Sequence, residues 1–385
     1  MNMKKLTSDI HDINYLIVGL ATFLEQREGI TRTDLVAEVA RAVNARVIQR
    51  ALKYNLASPR HVGEQYCKKV IGELEKLGLI NKVRMRHILT EDGAHALDLL
   101  VSKQTEELRR IFLQLMLRTY NQIEELLCRI YHLSPSGQIA LPVISAEILK
   151  FYQLDTLLLS RRCYEILTYY LPQTQQAPNS MIDELNQVMS DRGPNSQKSA
   201  SLAQSVVDKY MLSLLFSDIV TNKRSFDVIL SRCQFLELAN SAPTALDGFP
   251  CIIIYLTSYI SPPMSQPEYL VGGSEIELSL DKKVVINQVK YDSEGLSRFR
   301  EALKQSYLHN KLDFGYARIA DLRTETCRYL RISDRQFDAL LLRQYRAEPG
   351  TISLDYSFER LTAKASAIAL DDEGAALYNL ARTNY

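Results

Sequence analysis

The chain has 385 residues, a formal net charge of +1 at pH 7 and a hydrophobic content of 46%. This composition is enough to bury ordinary cores and excludes a disordered or fibrous protein, and the length predicts two or three domains. No apolar run approaches the ~20 residues that a membrane helix needs, and residues 1–5 lead into polar residues rather than an apolar signal segment. We therefore expect a cytoplasmic protein without a membrane partner.

The six cysteines and six histidines are scattered, with no Cys-x-x-Cys and no paired histidines at helical spacing. Zinc sites need such local ligand pairs, so we expect the cysteines to be core residues and expect no metal or other cofactor. The Walker loop, Gly-x-Gly-x-x-Gly, Gly-x-Ser-x-Gly and His-Glu-x-x-His motifs are absent as well. Predictions of an ATPase, a dehydrogenase, a serine hydrolase or a zinc protease therefore lose their usual basis.

Three helices are predicted first in chain order. Apolar residues recur at three- and four-residue spacing over Asn14–Gln26 and Thr33–Tyr54. A third helix begins at Ser58 and Pro59, because serine caps a first turn and proline lacks the N–H that would be unpaired there. Gly78 ends this helix, since glycine readily takes the left-handed conformation of a C-cap.

A basic strand follows the third helix. Residues 82–90 alternate with a period of two, which predicts one strand with Lys82, Arg84 and Arg86 on the same face. It stops at a Thr-Glu-Asp-Gly turn, residues 90–93. With the phrases Leu-Glu-Lys-Leu-Gly-Leu-Ile at 74–80 and Leu-Thr-Glu-Asp-Gly at 89–93, this order resembles the winged helix-turn-helix superfamily. The resemblance covers roughly the first hundred residues and implies a DNA-binding domain over residues 1–93, with a recognition helix and a wing.

Charge is concentrated in this segment. Residues 41–86 hold eleven Lys and Arg against three Glu, an excess of eight positive charges in a chain whose net charge is +1. A local positive field of this kind is typical of a polyanion site, because each phosphate contact releases counterions. We therefore predict double-stranded DNA as a partner; a winged helix with a solvated basic face, used only for protein contacts, is the alternative. The residues predicted to line the major groove or to hold phosphates beside it are Arg60, His61, Gln65, Lys68, Lys69, Lys82, Arg84 and Arg86.

Residues 94–171 are predicted to form a long helix and then a small helical unit. The apolar stripe runs over residues 94–132 and suits either a dimer helix or a helix that bridges two domains. A short strand ends at Pro142, and helices follow over Ile144–Leu154 and Leu157–Tyr170. The polar composition of residues 172–199 then indicates a linker and a domain boundary around one short helix, Met181–Met189.

Residues 200–312 are predicted to form an α+β middle domain. Helical spacing over residues 200–240 is followed by a buried strand at Pro250–Ile260. A hairpin is then predicted from Glu275–Leu280 and Val284–Val289, which alternate around a polar turn.

One catalytic alternative depends on this hairpin. Gln288-x-Lys290 resembles the Gln-x-Lys strand of PD-(D/E)xK nucleases, which implies a metal-dependent nuclease. Glu275 or Glu277 would then supply the upstream metal-binding carboxylate, and Lys290 would stabilise or activate the attacking water. The pattern is short and the superfamily's usual upstream aspartate is missing, so no catalytic residue is assigned.

The C-terminal residues 313–385 repeat the opening pattern. A short helix at 319–330, a capping box at Ser333–Gln336, a helix that ends at Gly350, and two wing strands at 351–356 and 359–364 are predicted. This segment too resembles a winged helix, across about residues 313–370. Basic residues outnumber acids by seven to four over residues 316–346, so DNA contact and protein docking both stay open here.

The whole sequence predicts a mostly α (α+β) protein with winged-helix domains at both ends and a mixed middle. We expect a non-enzymatic DNA-binding or adaptor protein with protein partners or a homodimer. It is either a transcription regulator or a subunit of a prokaryotic DNA-processing or anti-phage defence complex. A pure protein-interaction scaffold is a further alternative.

Overall fold

The computed structural model describes residue 10 and residues 13–53, 61–153, 155–171, 177–192, 196–257, 260–261, 275–277, 285–287, 293–348, 350–355, 368–369, 377–378 and 380–383. These residues are mostly helical with small antiparallel sheets, which confirms the predicted fold class at that level. None of the helices in these ranges combines the length and apolar character needed to cross a bilayer.

The first part of the chain, residues 13–89, forms a compact group that we call the N-terminal unit. Its elements are α1 (Asn14–Ala21), β1 (Ile30–Thr31), α2 (Arg32–Lys53), α3 (Glu64–Lys76), β2 (Ile80–Val83) and β3 (Arg86–Leu89). The three strands pair in the order β1-β3-β2, so the last strand lies in the centre. The two predicted upstream helices are confirmed, and α3 ends before Gly78, whose φ of +75° is the predicted left-handed C-cap. Helix α3 begins at Glu64, later than the predicted start at Ser58, which lies outside the described residues.

The predicted single strand over residues 82–90 is wrong. The chain turns back at Arg84 and Met85, so that β2 and β3 form a tight hairpin with Val83 opposite Arg86 and Lys82 opposite His87. Residues directly opposite each other share a face, so Lys82 and Arg86 lie on opposite faces. Arg84 adopts a φ of +55°, a conformation that turn predictions assign to Gly, Asn or Asp. Neither Arg84 nor Met85 is a residue type that predicts a turn.

The predicted long helix over residues 94–132 is also wrong, because the chain forms three helices. They are α4 (Glu91–Val101), α5 (Thr105–Thr119) and α6 (Asn121–Leu133). Lys103, with a φ of +57°, and Tyr120, with extended backbone, make the two breaks. The predicted turn at 90–93 is instead the start of α4, where the Thr90 side chain caps the helix by accepting from the amide of Gly93.

The middle of the chain packs further helices around a three-stranded sheet. Its elements are β4 (Gln138–Pro142), α7 (Ala146–Phe151), α8 (Thr156–Thr168), α9 (Asn179–Arg192), α10 (Gln197–Leu215), α11 (Lys223–Phe235), β5 (Ala239–Leu246) and β6 (Phe249–Leu256). The strand order is β4-β6-β5, and β5 was not predicted. Helix α9 falls within the predicted linker and buries Met181 and Leu185 in a core that runs from the N-terminal unit to Leu256. The predicted domain boundary at 172–199 therefore does not interrupt this core.

A small sheet follows, of which the backbone is described. It contains β7 (Ile260–Ser261), β8 (Glu275–Glu277) and β9 (Val285–Asn287) in the order β7-β9-β8. The antiparallel pairing of β8 with β9, with Glu275 opposite Asn287, confirms the predicted hairpin over these residues.

The last part of the chain, residues 293–383, forms a second group, the C-terminal unit. Its elements are α12 (Ser293–Asn310), β10 (Ala317–Arg318), α13 (Ile319–Leu330), α14 (Asp334–Ala347), β11 (Ile352–Asp355), β12 (Ile368–Ala369), β13 (Leu377–Tyr378) and β14 (Leu380–Thr383). The predicted capping box is confirmed: Ser333 and Gln336 exchange side-chain and backbone hydrogen bonds. Strand β11 pairs with β14, and the second predicted wing strand, 359–364, lies outside the described residues. The order β10-β14-β11 again puts the last strand in the centre.

The central sheet joins two hydrophobic cores. Ile254 and Leu256 on β6 belong to the core shared with the helices and the N-terminal unit. Ile253 and Tyr255 on the same strand belong to the core of the C-terminal unit. Because alternate residues of a strand face opposite sides, β6 is buried on both faces over residues 253–256, whereas Ile252 is 41% exposed.

Candidate functional site

The exposed face of α3 and the neighbouring hairpin form a basic surface. We define this basic surface by the predicted residues that the structure describes, namely His61, Gln65, Lys68, Lys69, Lys82, Arg84 and Arg86. Six of the seven are exposed and Lys68 is partly buried. Arg60, the eighth predicted residue, lies outside the described residues. The structure therefore brings the predicted helix and hairpin residues to one unit, although not onto one strand face.

The outward side of α3 carries a stripe whose members Gln65 and Lys69 are exposed and whose members Gly72 and Lys76 are partly buried. Gln65, Lys69, Gly72 and Lys76 recur at three- and four-residue spacing, opposite the buried face that carries Cys67 and other apolar residues. At Gly72 a Cβ atom would meet nothing within 4 Å, so the stripe has a notch where the helix backbone itself is accessible. Sequence reasoning missed this notch because glycine in a helix interior is normally only a cost in stability.

The cations of the basic surface differ in their partners. Lys68 pairs with Glu64 one turn away at 2.8 Å, an exposed contact of the kind that contributes little to stability. Lys82, Arg84 and Arg86 make no ion pair with any residue that the structure describes. Met85, at the hairpin tip between the two arginines, is 80% exposed. The hairpin thus presents three cations around an apolar tip.

The start of α3 is held by a residue that sequence analysis did not single out. The amide of Val62 donates to Asn44 Oδ1 at 2.6 Å, and Asn44 Nδ2 lies 3.4 Å from the Val62 carbonyl oxygen. This contact from α2 fixes the chain beside His61. Gly63 is the N-cap, and no described side chain caps the helix, so amides of the first turn stay open to a partner. An asparagine in a helix interior was the only available signal.

A contact between β3 and α3 holds the hairpin beside the helix. His87 on β3 is buried, and its Nε2 lies 3.0 Å from Oε1 of Glu75 on α3. A carboxylate oxygen can only accept, so this contact is a hydrogen bond in the tautomer that carries its proton on Nε2. The two parts of the basic surface are therefore fixed relative to each other.

A buried ion pair lies beneath α3. Glu73 and Arg232 on α11 are 1% and 0% exposed, and Arg232 Nη1 is 2.7 Å from Glu73 Oε1. The hydroxyl of Tyr120, at the break between α5 and α6, donates to the same carboxylate oxygen at 2.8 Å, and the guanidinium lies 5.3 Å from the tyrosine ring centroid. Burial, reinforced by the negative charge of Glu73, raises the pKa of Tyr120 well above its ordinary value, so the hydroxyl stays a donor. These contacts attach α3 to the helices behind it.

Arg232 is incompletely satisfied within the protein. Its Nε and Nη2 are buried and have no hydrogen-bond partner among the described residues. The arginine therefore depends on Glu73 and the Tyr120 ring for its stabilisation, and both would be missed by sequence analysis because the three residues are far apart in the chain.

The nuclease alternative has no described site to examine. Gln288 and Lys290 lie outside the described residues, and at Glu275 and Glu277 only the backbone is described. Within the described ranges no group of His, Cys, Asp and Glu is arranged to hold a metal ion. Five of the six cysteines are buried, as predicted for core residues, and burial raises the pKa of Cys233 to about 12.

The chain was compared with known proteins. No family model, curated protein or solved structure matches it. The chemistry of the basic surface must therefore be inferred from its own residues.

Proposed function

We propose that this chain is a non-enzymatic DNA-binding or adaptor protein whose N-terminal unit is a winged helix that grips duplex DNA. The order of elements supports this proposal: α1, β1, α2, α3 and a β2–β3 hairpin, with a small antiparallel sheet, is the order expected of that superfamily. In this arrangement α3 is the recognition helix and the hairpin is the wing. The C-terminal unit has the same order of elements, except that strands β12 and β13 lie in the chain between β11 and β14.

The observation that carries the proposal is the basic surface. Lys68 and Lys69 on α3 and Lys82, Arg84 and Arg86 on the hairpin are cations on one unit of a chain whose net charge is +1. Phosphates spaced along a duplex satisfy such an array, whereas an ordinary solvated face needs no such excess. The α3 stripe of Gln65 and Lys69 fits the edges of bases in a major groove, and the hairpin cations fit the phosphates beside it.

The number of cations sets the expected salt dependence. Three phosphate contacts from the hairpin cations would contribute a slope of about −3 in a plot of log affinity against log salt concentration, at roughly 0.9 per contact. An interaction without phosphate contacts would have a much weaker dependence on salt. The slope therefore separates a nucleic-acid site from a protein-docking site.

The biological setting stays open between two proposals. A prokaryotic transcription regulator and a subunit of a DNA-processing or anti-phage complex both need a DNA-binding module with further surfaces for partners. The helical middle and the C-terminal unit, which make up most of the chain, are available for such partners in either setting.

The test is binding of a labelled duplex, by fluorescence anisotropy across a potassium chloride series with Mg²⁺ present. The variant Lys82→Ala/Arg84→Ala/Arg86→Ala should flatten the salt slope by about 3. The matched control is Lys150→Ala/Arg161→Ala/Lys198→Ala, which removes the same charge from exposed positions on α7, α8 and α10 and should leave the slope unchanged.

Three outcomes would redirect the proposal. Absence of binding at low salt would favour the pure protein-interaction scaffold. Equal losses in both triple variants would mean that binding follows net charge rather than the basic surface. Cleaved DNA would favour the nuclease alternative, for which Lys290→Ala is the deciding variant.

A further inference from the structure

The two units share one order of elements but differ in what covers their third helix. In the N-terminal unit the residues that lead into α3 and form its first turn, His61, Gly63, Glu64 and Gln65, are all exposed. The equivalent part of the C-terminal unit is the turn between α13 and α14 and the first turn of α14. It is the part of a helix-turn-helix that would approach a groove first.

The turn between α13 and α14 faces the central sheet. Arg331, with a φ of +52°, donates through Nε to the carbonyl oxygen of Leu256 on β6 at 2.8 Å. The hydroxyl of Tyr255, also on β6, lies 3.4 Å from the carbonyl oxygen of Ile332. Ile332 and Ser333 are themselves buried. The turn is therefore occupied by protein.

Asp334 and Arg335 in the first turn of α14 are exposed, like their counterparts in α3, but polar contacts from two other elements hold them. Asn240 on β5 donates to Asp334 at 2.8 Å, and Arg335 pairs with Glu106 on α5 at 2.6 Å. Nε of Arg335 also lies 3.7 Å from Oε1 of Glu237, a buried carboxylate that pairs with Arg109. These partners all lie in the chain between the N-terminal unit and the C-terminal unit.

The backbone of this turn is closed as well. The Ser333–Gln336 capping box satisfies amides at the start of α14, whereas no described side chain caps α3. A phosphate could therefore approach the first-turn amides of α3 but not those that the capping box occupies in α14.

Apolar packing also joins the C-terminal unit to the central sheet. Ala242, Ile253 and Tyr255 of the central sheet are buried in the core of the C-terminal unit, together with Phe337 on α14. Helix α13 packs on β5, so releasing the helix-turn-helix to meet a duplex would expose this sheet face to water. Exposing buried apolar surface carries a hydrophobic cost that phosphate contacts would have to offset.

We infer that the helix-turn-helix of the C-terminal unit is a docking element that clamps the central sheet, and that the N-terminal unit alone grips the duplex. The inference rests on the proposed function for its second half. Of the two alternatives left open for the C-terminal unit, DNA contact and protein docking, the inference selects docking, and it places the docking surface within this chain.

The experiment compares matched positions in the full chain. Gln65 and Arg335 are each the second residue of the third helix of their unit. Gln65→Glu should weaken duplex binding about tenfold, the effect of losing one groove contact, and leave the melting temperature unchanged. Arg335→Ala should lower the melting temperature by about one degree, since its side chain is 47% exposed, and leave duplex affinity and salt slope unchanged.

The outcomes separate the inference from the proposed function. If Arg335→Ala weakens duplex binding as Gln65→Glu does, at an unchanged melting temperature, the inference is overturned and the proposed function stands. If the wild type binds no duplex at low salt, the proposed function and the DNA half of the inference both fail. The loss of melting temperature in Arg335→Ala would then support the docking half by itself.

Discussion

The substitution Glu73→Gln removes the carboxylate charge beneath α3 and leaves Arg232 buried without a counterion. Gln has nearly the shape of Glu and keeps an oxygen that can accept from Tyr120, so cavity formation and the tyrosine hydrogen bond contribute little. The loss is that of breaking a fully buried ion pair, about 3–5 kcal/mol of unfolding free energy. Both partners are at most 1% exposed, so solvent screening does not reduce this value.

Urea unfolding followed by circular dichroism measures the effect. Glu75→Gln is the matched control, because it makes the same change two residues away on the same helix. Glu75 is 39% exposed and pairs with His87, so this control should lose less than about 1 kcal/mol. A loss in Glu73→Gln no larger than in the control would refute the reasoning.

A second variant distinguishes the ion pair from general disturbance of the helix. In Glu73→Met/Tyr120→Phe/Arg232→Met the polar groups that meet beneath α3 are replaced together by apolar side chains of similar size. Replacing a buried ion pair in this way is often neutral or stabilising. The triple variant should therefore be more stable than Glu73→Gln, and a lower stability would show that the charges themselves are needed.

The remaining predictions concern single positions. Gly72→Ala should raise the unfolding free energy by about 0.5–1 kcal/mol in a urea titration, since its Cβ meets open space, and weaken duplex binding by filling the notch in α3. Gly93→Ala should instead destabilise strongly in the same titration, because its Cβ would lie 1.9 Å from a backbone oxygen. Burial, partly opposed by Arg323, raises the pKa of Asp338 to about 6, so the folded chain binds the extra proton and unfolding free energy falls as pH rises from about 4 to 6. Asp338→Asn should reduce that fall in urea titrations across pH, and an unchanged slope would contradict it. Ser333→Ala should lower the unfolding free energy by about 1 kcal/mol, because it removes the N-cap of α14, and urea unfolding measures this loss.

Local signals in the sequence were sufficient where a single residue type determines the backbone. Gly78 at the end of α3 and the Ser333–Gln336 capping box were predicted correctly, because the left-handed cap and the reciprocal hydrogen bonds depend on neighbours in the chain. The breaks were not predictable in the same way. At Tyr120 the apolar stripe continues through the break, and at Arg84 the turn contains no glycine or asparagine.

The same distinction applies to the candidate site: some of its features follow from local sequence and others depend on distant contacts. Exposure of Gln65 and Lys69 follows from their spacing opposite the apolar stripe of α3, and this was predicted, whereas the hairpin cations were predicted on one strand face and lie on two. The contacts beneath the surface were not predictable. Glu73 and Arg232 look like surface charges in the sequence, and only the packing of α3 on α11 makes them buried partners.

The central sheet has a consequence for how this chain leaves the ribosome. The sheet is complete once Leu256 has emerged, but Ile253 and Tyr255 belong to a core whose other residues extend to Ala381. At usual rates of synthesis the nascent chain waits roughly ten seconds for that cover. During this interval an apolar strand face is open to chaperones and to other nascent chains, so slowing translation between these points should increase aggregation of newly made protein.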